Sequence, residues 1–312
     1  MANSNFLKNQ SKQIRVLYLT TLVLFLPLFA GIYFLYKQDA QDSKVIAEPE
    51  PVQTIPVSLD SVQTTAQSAI VVSLYNEQIL YQKNSERPMP LASLTKLVTA
   101  KVADNQLVKE KVSIDKMKEF SEYGDGKLIE GDSWDKQELI DYTLVTSSND
   151  GAHSLQANSK NASAFTDNMN TLVASIGLSN TYFYNETGLD HDDTGILGSK
   201  GTAKDMSKIL SYLIKDNISL YEKTKHGTIH VSTPEGNQIA TNTNEVADVI
   251  PGLLVSKTGY TDLAGGNLAI VADMGLNEPV AFVVLKSSRE ARFEDVLKLQ
   301  EAYFKQVRER MR

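Results

Sequence analysis

The sequence contains no cysteine, only one tryptophan, and no excess of basic over acidic residues. Without cysteine the chain forms no disulfide, thiolate nucleophile, cysteine-ligated metal site or cysteine-linked lipid anchor. The four histidines are scattered at positions 153, 191, 226 and 230, with no spacing typical of a metal site. We therefore expect no metal and no other cofactor. A formal net charge of −7 argues against nucleic acid as a partner, because phosphate-binding proteins normally present a basic face.

The composition is that of a folded protein. The chain has 312 residues, of which 42% are hydrophobic and 22% charged, so it can build a large core. Once an N-terminal apolar segment and a polar tether are set aside, the remainder suits one domain better than two. We expect that single domain to cover residues 67–312.

The N-terminal apolar segment, residues 16–36, carries no charge and would be about 31 Å long as a helix, which matches a hydrocarbon core of ~30 Å. It is longer than the apolar part of a usual signal peptide and ends without a small-x-small site, so we favour an uncleaved transmembrane anchor over a cleaved signal. Basic residues are slightly more numerous before this segment than after it, which favours a cytoplasmic location for residues 1–15. The polar, proline-containing residues 37–66 then form an extracytoplasmic linker. This predicts a single-pass protein of the cytoplasmic membrane with its folded domain outside.

The folded part begins and ends with strand patterns and is mostly helical between them. A β-hairpin is predicted over residues 69–81, and further strands follow residue 228. Helical stretches are predicted at 93–103, 136–147, 149–159, 163–177, 202–215 and 289–310. Strands at both ends of a domain pair into one sheet, so we expect an α+β fold with an antiparallel sheet flanked by helices and a mostly helical insertion.

Three short motifs stand in a fixed order along this domain. They are Ser93-Leu94-Thr95-Lys96, Ser147-Ser148-Asn149 and Lys257-Thr258-Gly259. Each string is common by chance, but their order, spacing and structural settings make the combination specific.

The first motif supplies a nucleophile and a base. Residues i and i+3 share a helix face, so the Lys96 amine can reach the Ser93 hydroxyl. An ordinary lysine is protonated at neutral pH and cannot accept a proton, so the site has to lower its pKa by about 3 units. Burial and a second cation, for which Lys257 is suited, would do this. The helix start also offers the Ser93 amide to an oxyanion hole.

The other two motifs suit the walls of a substrate cleft. Ser147 lies in a polar loop between two helices, where its hydroxyl could relay a proton between Lys96 and a leaving amine, while Asn149 orients the substrate. The strand that carries Lys257 would bind an extended peptide along its edge, with Lys257 and Thr258 attracting a carboxylate. Gly259 lets the ligand backbone approach.

The ordered triplet resembles that of class A β-lactamases and penicillin-binding proteins. The surrounding strings PLASLTKLVTA, EGDSWDKQELIDYTLVTSSNDGA, NETGLD, GTAKDM and LLVSKTGYTDLAGGNLA resemble the D-alanyl-D-alanine carboxypeptidase family of low-molecular-mass penicillin-binding proteins over residues 67–300. The resemblance implies a β-lactamase/transpeptidase-like fold, action on peptidoglycan stem peptides, and inhibition by β-lactams. Two positions depart from the usual family sequence. Ser148 stands where relatives often have alanine or glycine, and Gly201 stands where they often have serine.

The resemblance further implies roles for individual residues. Ser93 would be the acylated nucleophile, Lys96 the base, and Ser147 with Asn149 the proton relay and substrate contact. The carboxylate binders would be Lys257 and Thr258, beside Gly259, and the backbone amide of Tyr260 would complete the oxyanion hole. The predicted activity is removal of the terminal D-alanine. Three alternatives stay open: a β-lactamase, a D,D-endopeptidase, and a non-catalytic wall-binding module.

Other candidate residues carry weaker signals. Glu186, in Asn185-Glu186-Thr187-Gly188-Leu189, could serve a β-lactamase as the base for deacylation, but the string is more typical of carboxypeptidases. The acidic run at residues 190–193 could bind a cation, although a solvated loop is favoured. Arg292 could contact a substrate carboxylate, although a helix-surface arginine is favoured. For the histidines, surface or packing roles are favoured.

Overall fold

The computed structural model describes residues 59, 61–117, 127–190, 194–275 and 277–310, which belong to one compact unit. Within these ranges no helix is both long and apolar enough to cross a bilayer. The predicted membrane segment, residues 16–36, and most of the predicted linker lie outside the described residues.

The described chain has strands near both ends and most of its helices between them, as the sequence patterns predict, with additional short strands inside the helical part. The strands are β1 (Ser68–Ser73), β2 (Ile79–Lys83), β3 (Met89–Pro90), β4 (Lys111–Ser113), β5 (Ser133–Asp135), β6 (Tyr182–Phe183), β7 (Ser199–Gly201), β8 (Thr228–Thr233), β9 (Gly236–Thr241), β10 (Leu253–Thr261), β11 (Gly265–Asp273) and β12 (Pro279–Ser287). The α-helices are α1 (Lys96–Gln106), α2 (Lys136–Thr146), α3 (Asn149–Ala157), α4 (Phe165–Ser175), α5 (Ala203–Asn217) and α6 (Ala291–Arg310).

The main sheet has five strands in the order β10-β11-β12-β1-β2, and every neighbouring pair in it is antiparallel. The first hairpin, β1 and β2, therefore joins the last three strands, as the sequence predicts. In this register Ile70 faces Val283 and Lys257 faces Ala269. The strand β10 forms one edge of this sheet, so the outer edge of β10 can contact the insertion or a ligand.

The sheet is apolar on both faces because alternate side chains of its strands point into two different cores. On one face the sheet packs against the helical insertion, through side chains such as Ile70, Val271 and Val283. On the other face Val71, Ile270 and Phe282 pack against α6 through its residues Phe293, Val296, Leu299 and Tyr303. The expected α+β architecture is confirmed, with the nucleophile motif and β10 meeting at the junction of sheet and insertion.

The folded unit begins before residue 67, so the predicted end of the linker is too late. Leu59 is fully buried, and its amide donates to the carbonyl oxygen of Leu80 at 2.9 Å. The amides of Thr65 and Ala66 donate to the buried carboxylate of Asp295 on α6. The polar composition of this stretch conceals its packing, because the partner that fixes it lies at the other end of the sequence.

Candidate active site

The proposed nucleophile lies in a tight turn rather than in the first turn of an α-helix. Ser93 belongs to a 3-10 helix, Ala92–Thr95, and α1 begins only at Lys96. Ala92 has a φ of 50°, in the left-handed region that disfavours residues with a Cβ. The Thr95 hydroxyl donates to the Ala92 carbonyl oxygen at 2.7 Å and closes the turn. The predicted helix start at residue 93 is thus displaced by one turn, while Ser93 and Lys96 stay on neighbouring turns.

Lys96 is completely buried, and its Nζ has three oxygen partners. They are Ser93 Oγ at 2.9 Å, Asn149 Oδ1 at 2.7 Å and the Thr187 carbonyl oxygen at 2.8 Å. An amide oxygen and a carbonyl oxygen can only accept, so they take two N–H groups. A neutral amine has two N–H groups and one lone pair, which leaves the lone pair for the hydroxyl proton of Ser93. The ammonium form can donate to all three oxygens, and the uncharged form is placed to accept the Ser93 proton.

Burial lowers the pKa of Lys96 from its ordinary value near 10.5 to about 7, against a smaller opposite effect of the Glu186 carboxylate. Loss of hydration disfavours the ammonium form when no counter-charge bonds it directly. At neutral pH a substantial fraction of this lysine is free amine, as base catalysis requires.

The second motif forms a break between two helices. Ser147 follows α2 with a φ of 62°, and the Ser148 side chain accepts a hydrogen bond from the Gly151 amide, which caps α3. This sharp reversal brings Asn149, the first residue of α3, to Lys96. Ser147 Oγ accepts instead from Lys257 Nζ at 2.8 Å. The two residues thus contact different lysines, whereas the sequence analysis placed Ser147 beside Lys96.

The third motif lies on β10, the edge strand. Lys257 is buried and also donates to the Thr258 carbonyl oxygen at 3.0 Å. Burial lowers the pKa of Lys257 well below its ordinary value, and the nearby cations of Lys96 and Arg292 lower it further. The site therefore holds several basic groups in one desolvated space, which favours an anionic ligand that would offset their charge.

Close packing joins the edge strand to the nucleophile turn. A Cβ at Gly259 would lie 2.8 Å from the Leu91 carbonyl oxygen and 3.3 Å from the Ala92 side chain. Opposite it, Asn267 Nδ2 donates to the carbonyl oxygens of Pro90 and Leu91 at 3.0 and 3.1 Å. Glycine at position 259 is thus required for the close packing of strand and turn. The sequence predicts a different role for it, the close approach of a ligand backbone. Tyr260 follows on the strand with its side chain 41% exposed.

Arg292 belongs to this site, and the favoured helix-surface interpretation is wrong. It is only 5% exposed, and its Nη1 donates to the Gly259 carbonyl oxygen at 3.0 Å. Burial, with a smaller contribution from Arg289, lowers its pKa to about 10. Among the described residues its Nε has no hydrogen-bond partner. The helical pattern of residues 289–310 could not show that the first turn of α6 points toward β10.

Thr243 is a site residue that the sequence analysis missed. Its hydroxyl oxygen lies 2.6 Å from that of Thr258, and its amide donates to the Val145 carbonyl oxygen at 3.0 Å. If Thr243 donates to Thr258, the Thr258 proton is directed elsewhere, for example to a ligand carboxylate. No sequence signal marks this residue, which lies outside the three motifs in the segment between β9 and β10.

The loop at residues 185–190, before β7, packs against the nucleophile turn, which is the 3-10 helix Ala92–Thr95. Asn185 Oδ1 accepts from the amides of Thr187 and Gly188, which shapes the loop. Gly188 has a φ of 79°, and a Cβ there would collide with the Ala92 carbonyl oxygen and the Thr95 hydroxyl. The loop thereby places the Thr187 carbonyl oxygen on Lys96.

The acidic run at 190–193 has a structural role where the structure describes it. Asp190 is buried, its Oδ1 accepts from the Gly198 amide at 2.7 Å, and its Oδ2 accepts from the Thr261 hydroxyl. The favoured solvated-loop interpretation is therefore wrong for Asp190, while residues 191–193 lie outside the described residues. Within the described ranges no group of three histidine or acidic side chains is arranged to hold a metal ion.

A serine activated by a buried lysine, beside an edge strand with a second lysine, defines a serine hydrolase of the penicillin-binding class. The chain belongs to the Peptidase S11 family, described as D-alanyl-D-alanine carboxypeptidase, whose sequence profile matches residues 54–289. The predicted family is confirmed.

Among related proteins, the D-alanyl-D-alanine carboxypeptidase DacF of Bacillus subtilis is 28% identical over 249 residues, which cover 77% of this chain and 62% of DacF. The chain thus spans less than two thirds of that relative. A D-alanyl-D-alanine endopeptidase of Pseudomonas aeruginosa is 27% identical over 82% of each protein. Penicillin-Binding Protein D2 of Listeria monocytogenes, solved with bound cefotaxime, is 30% identical with a TM-score of 0.69, over 78% of this chain and 98% of that one. This likeness confirms the β-lactamase/transpeptidase-like fold.

Proposed function

We propose that this serine hydrolase is a D-alanyl-D-alanine carboxypeptidase, which removes the terminal D-alanine from peptidoglycan stem peptides and is inhibited by β-lactams. The observation that carries the proposal is the contact of the buried Lys96 Nζ with Ser93 Oγ at 2.9 Å, because the two acceptor-only partners of the uncharged amine leave its lone pair for the Ser93 proton. The names of the S11 relatives and the cefotaxime bound to the Listeria protein support the substrate and the inhibitor.

In the acylation step, Lys96 Nζ takes the hydroxyl proton as Ser93 Oγ attacks the carbonyl carbon of the penultimate D-alanine. The backbone amides of Ser93 and Tyr260 are proposed to stabilise the oxyanion. The amide C–N bond then breaks. The leaving amine takes a proton from Lys96, or through Ser147, whose hydroxyl contacts Lys257. Free D-alanine departs, and an ester on Ser93 remains.

In the deacylation step, water attacks the ester carbonyl carbon while a basic group of the site accepts its proton. The ester C–O bond breaks, Ser93 regains its hydroxyl proton, and the shortened stem peptide is released. A β-lactam would acylate Ser93 in the same way, but its leaving amine stays tethered to the acyl group.

The terminal carboxylate of the substrate is proposed to bind Lys257, Thr258 and Arg292. All three are buried, and an anion between them would offset the charges of Lys96 and Arg292, which add to the effect of burial in lowering the pKa of Lys257. The extended substrate would lie along the edge of β10, because an edge strand offers main-chain hydrogen bonds to a peptide.

The proposal is tested by intact-mass measurement of the full chain, purified in detergent, after incubation with benzylpenicillin. We expect the mass of one penicilloyl group on the wild type and none on Ser93→Ala. A synthetic stem pentapeptide should then yield tetrapeptide and free D-alanine with the wild type only. Absence of the adduct from folded wild type would refute the proposal and favour a non-catalytic wall-binding module.

Endopeptidase action is the second candidate, because a Pseudomonas aeruginosa relative of similar coverage is named an endopeptidase. The same acyl transfer serves both activities, since they differ in the leaving amine. A cross-linked muropeptide dimer, compared with the pentapeptide at equal concentration, separates the two. A higher kcat/KM on the dimer would replace the carboxypeptidase assignment with the endopeptidase one.

A β-lactamase needs a base that activates the deacylating water. The residue suggested by sequence, Glu186, instead contacts His153 through its carboxylate, with Oε1 2.9 Å from Nδ1. We therefore expect a chromogenic cephalosporin to be opened about once per protein molecule. Fast multiple turnover would contradict the carboxypeptidase assignment.

We also propose that residues 16–36 anchor the protein in the cytoplasmic membrane, with residues 1–15 inside and the folded unit outside. The support is the length and charge-free character of this segment. Deleting residues 1–36 should move the protein from the membrane pellet to the soluble fraction. External protease should cut the folded unit of the full chain in spheroplasts, and its protection there would contradict the orientation.

A further inference from the structure

Glu186 and His153 form an ion pair beside the catalytic lysine that the reaction scheme above does not use. Glu186 Oε1 lies 2.9 Å from His153 Nδ1, and the two side chains are 13% and 29% exposed. The pair is therefore largely shielded from solvent, so its charge state is felt by neighbouring groups more strongly than a surface pair would be.

The backbone connects both members of the pair to the partners of Lys96. Glu186 directly precedes Thr187, whose carbonyl oxygen binds Lys96 Nζ, and its own carbonyl oxygen accepts from the Thr99 hydroxyl on α1 at 2.6 Å. His153 lies one turn after Asn149 on α3, and Asn149 Oδ1 is the other acceptor of Lys96. The ion pair thus joins the loop and the helix that hold the amine from two sides.

The charges around the pair have opposite effects on Lys96. The Glu186 carboxylate favours the ammonium form of Lys96 and so raises its pKa, against the larger effect of burial. The hydrogen bond to Glu186 raises the pKa of His153 against a smaller opposite effect of burial, so this imidazole stays protonated to a higher pH than an ordinary histidine. A protonated His153 offsets the Glu186 charge only in part, because the carboxylate is the member of the pair whose charge acts on Lys96.

Other charged groups face the two titrating side chains. Lys96 is faced by Lys257, and His153 by Asp115 and Asp150, whose carboxylates both raise the pKa of the imidazole. Lys116 Nζ lies 4.0 Å from Asp150 Oδ2. Variants of Glu186 and His153 leave these groups unchanged, so these groups do not alter the direction in which each variant shifts the pKa of Lys96.

We propose that Glu186 and His153 are positioning residues that set the electrostatic potential at Lys96, with the histidine acting through the carboxylate, and thereby fix the lower pH limit of acylation. The inference rests on the proposed acyl transfer through Ser93. It assigns Glu186 a role different from that of a base for water, because its carboxylate acts on Lys96 while bound to His153.

The test compares the rate constant for acylation by fluorescent penicillin between pH 5.5 and 9 in the full chain. The variants are Glu186→Gln, Glu186→Asp, His153→Gln and the double variant Glu186→Gln with His153→Gln. Control variants are Glu235→Gln and His230→Gln, which make the same substitutions at exposed positions on the β8–β9 hairpin. The controls should match the wild type at every pH.

Acylation slows as the pH falls below the pKa of Lys96, because the ammonium cannot accept the Ser93 proton. Without the Glu186 charge the ammonium is less stable, so Glu186→Gln should move the acid limb to lower pH and acylate roughly threefold faster than wild type at pH 6, as a shift of half a unit implies. His153→Gln leaves the carboxylate uncompensated and should move the limb to higher pH, with a similar slowing at pH 6. Above pH 8 all variants should converge.

The double variant should follow Glu186→Gln, since the histidine acts only through the carboxylate, and Glu186→Asp should retain the wild-type limb. The inference is overturned if both single variants slow acylation equally at every pH, which a merely structural pair would produce. It is also overturned if both limbs move in the same direction. Failure of the wild type to be acylated would refute the proposed function instead, so the two failures are distinguishable.

Discussion

Two regions of this protein bury charged side chains, and they differ in the groups that surround the charge. Asp295 on α6 is fully buried and accepts four hydrogen bonds, which come from the amides of Thr65 and Ala66 and the hydroxyls of Thr65 and Ser287. In the catalytic cleft, Lys96 and Lys257 are equally buried but face each other's charge, with Arg292 nearby.

The difference separates a structural charge from a reactive one. At Asp295 four donors bond the two carboxylate oxygens, so this side chain fixes residues 65–66 and α6 to the sheet. In the cleft the surroundings disfavour the ionised form, so Lys96 readily exchanges a proton near pH 7. Substitutions in the cleft should therefore lower the rate of acylation, whereas substitutions at Asp295 should lower stability.

The largest effect is expected for Lys96→Met, which keeps the length of the side chain and removes the base. Acylation by penicillin should fall by about 10³-fold or more, because a positioned base contributes about 10² to 10⁴. Ser93 stays in place, so this loss would be purely chemical. Stopped-flow labelling at pH 8 measures it, and a loss below tenfold would show that Lys96 is not the base.

The same variant has a predicted pH signature in its stability. The folded-state pKa of Lys96 lies below its unfolded value near 10.5, so the folded protein carries a penalty that is complete below about pH 7 and disappears as the pH rises toward 10.5. Lys96→Met lacks this penalty. Its stability relative to wild type, measured by urea unfolding, should therefore be greatest at pH 6 and decline toward pH 9.5.

The next effect is expected for Asp295→Ala, which leaves four donors without their acceptor. The free energy of unfolding should fall by about 3 kcal/mol, since each buried unpaired donor costs about 1 kcal/mol or more and the two donors of Thr65, which are only partly buried, cost less. Acylation of the protein that remains folded should stay within about twofold of wild type. Glu294→Ala, an exposed position on the same helix, is the matched control and should change stability by less than about 0.5 kcal/mol. A large acylation defect in folded Asp295→Ala would remove the contrast between the regions.

The smallest effect is expected for Thr243→Val, which keeps the shape of the side chain and removes the hydroxyl that contacts Thr258. Weaker orientation of the Thr258 hydroxyl should raise KM for the pentapeptide roughly five- to tenfold, equivalent to about 1 kcal/mol, with little change in kcat. Thr243→Ser should restore KM. An equal loss in both variants, or a loss confined to kcat, would assign Thr243 a packing role instead.

Local signals in the sequence predicted most elements well. The helix expected at 202–215 is α5, Ala203–Asn217, because the Thr202 hydroxyl accepts from the Asp205 amide and caps it. The three motifs converge because β10 lies directly against the nucleophile turn, as the spacing of residues on a helix and an edge strand suggested.

Contacts between distant parts of the chain were the ones that sequence reasoning missed. Arg292, Thr243 and the pair of Glu186 with His153 each depend on a partner in another element, and no periodicity or capping pattern marks them. The position of Ser147 was also missed, because the left-handed turn at its backbone decides which lysine it contacts. Local patterns predicted the helices and strands, while the tertiary packing decided which side chains entered the site.

The tight seat of Gly188 against the nucleophile turn has a consequence for drug resistance. Any side chain there would strike the Ala92 carbonyl oxygen, and the residue before it supplies the carbonyl oxygen that holds the amine. In the proposed reaction with β-lactams, widening this loop to admit a hydrolytic water would therefore displace the oxygen that holds Lys96 and so disable acylation of Ser93. Under antibiotic selection, single mutations at this loop should yield slower capture of the drug rather than its breakdown.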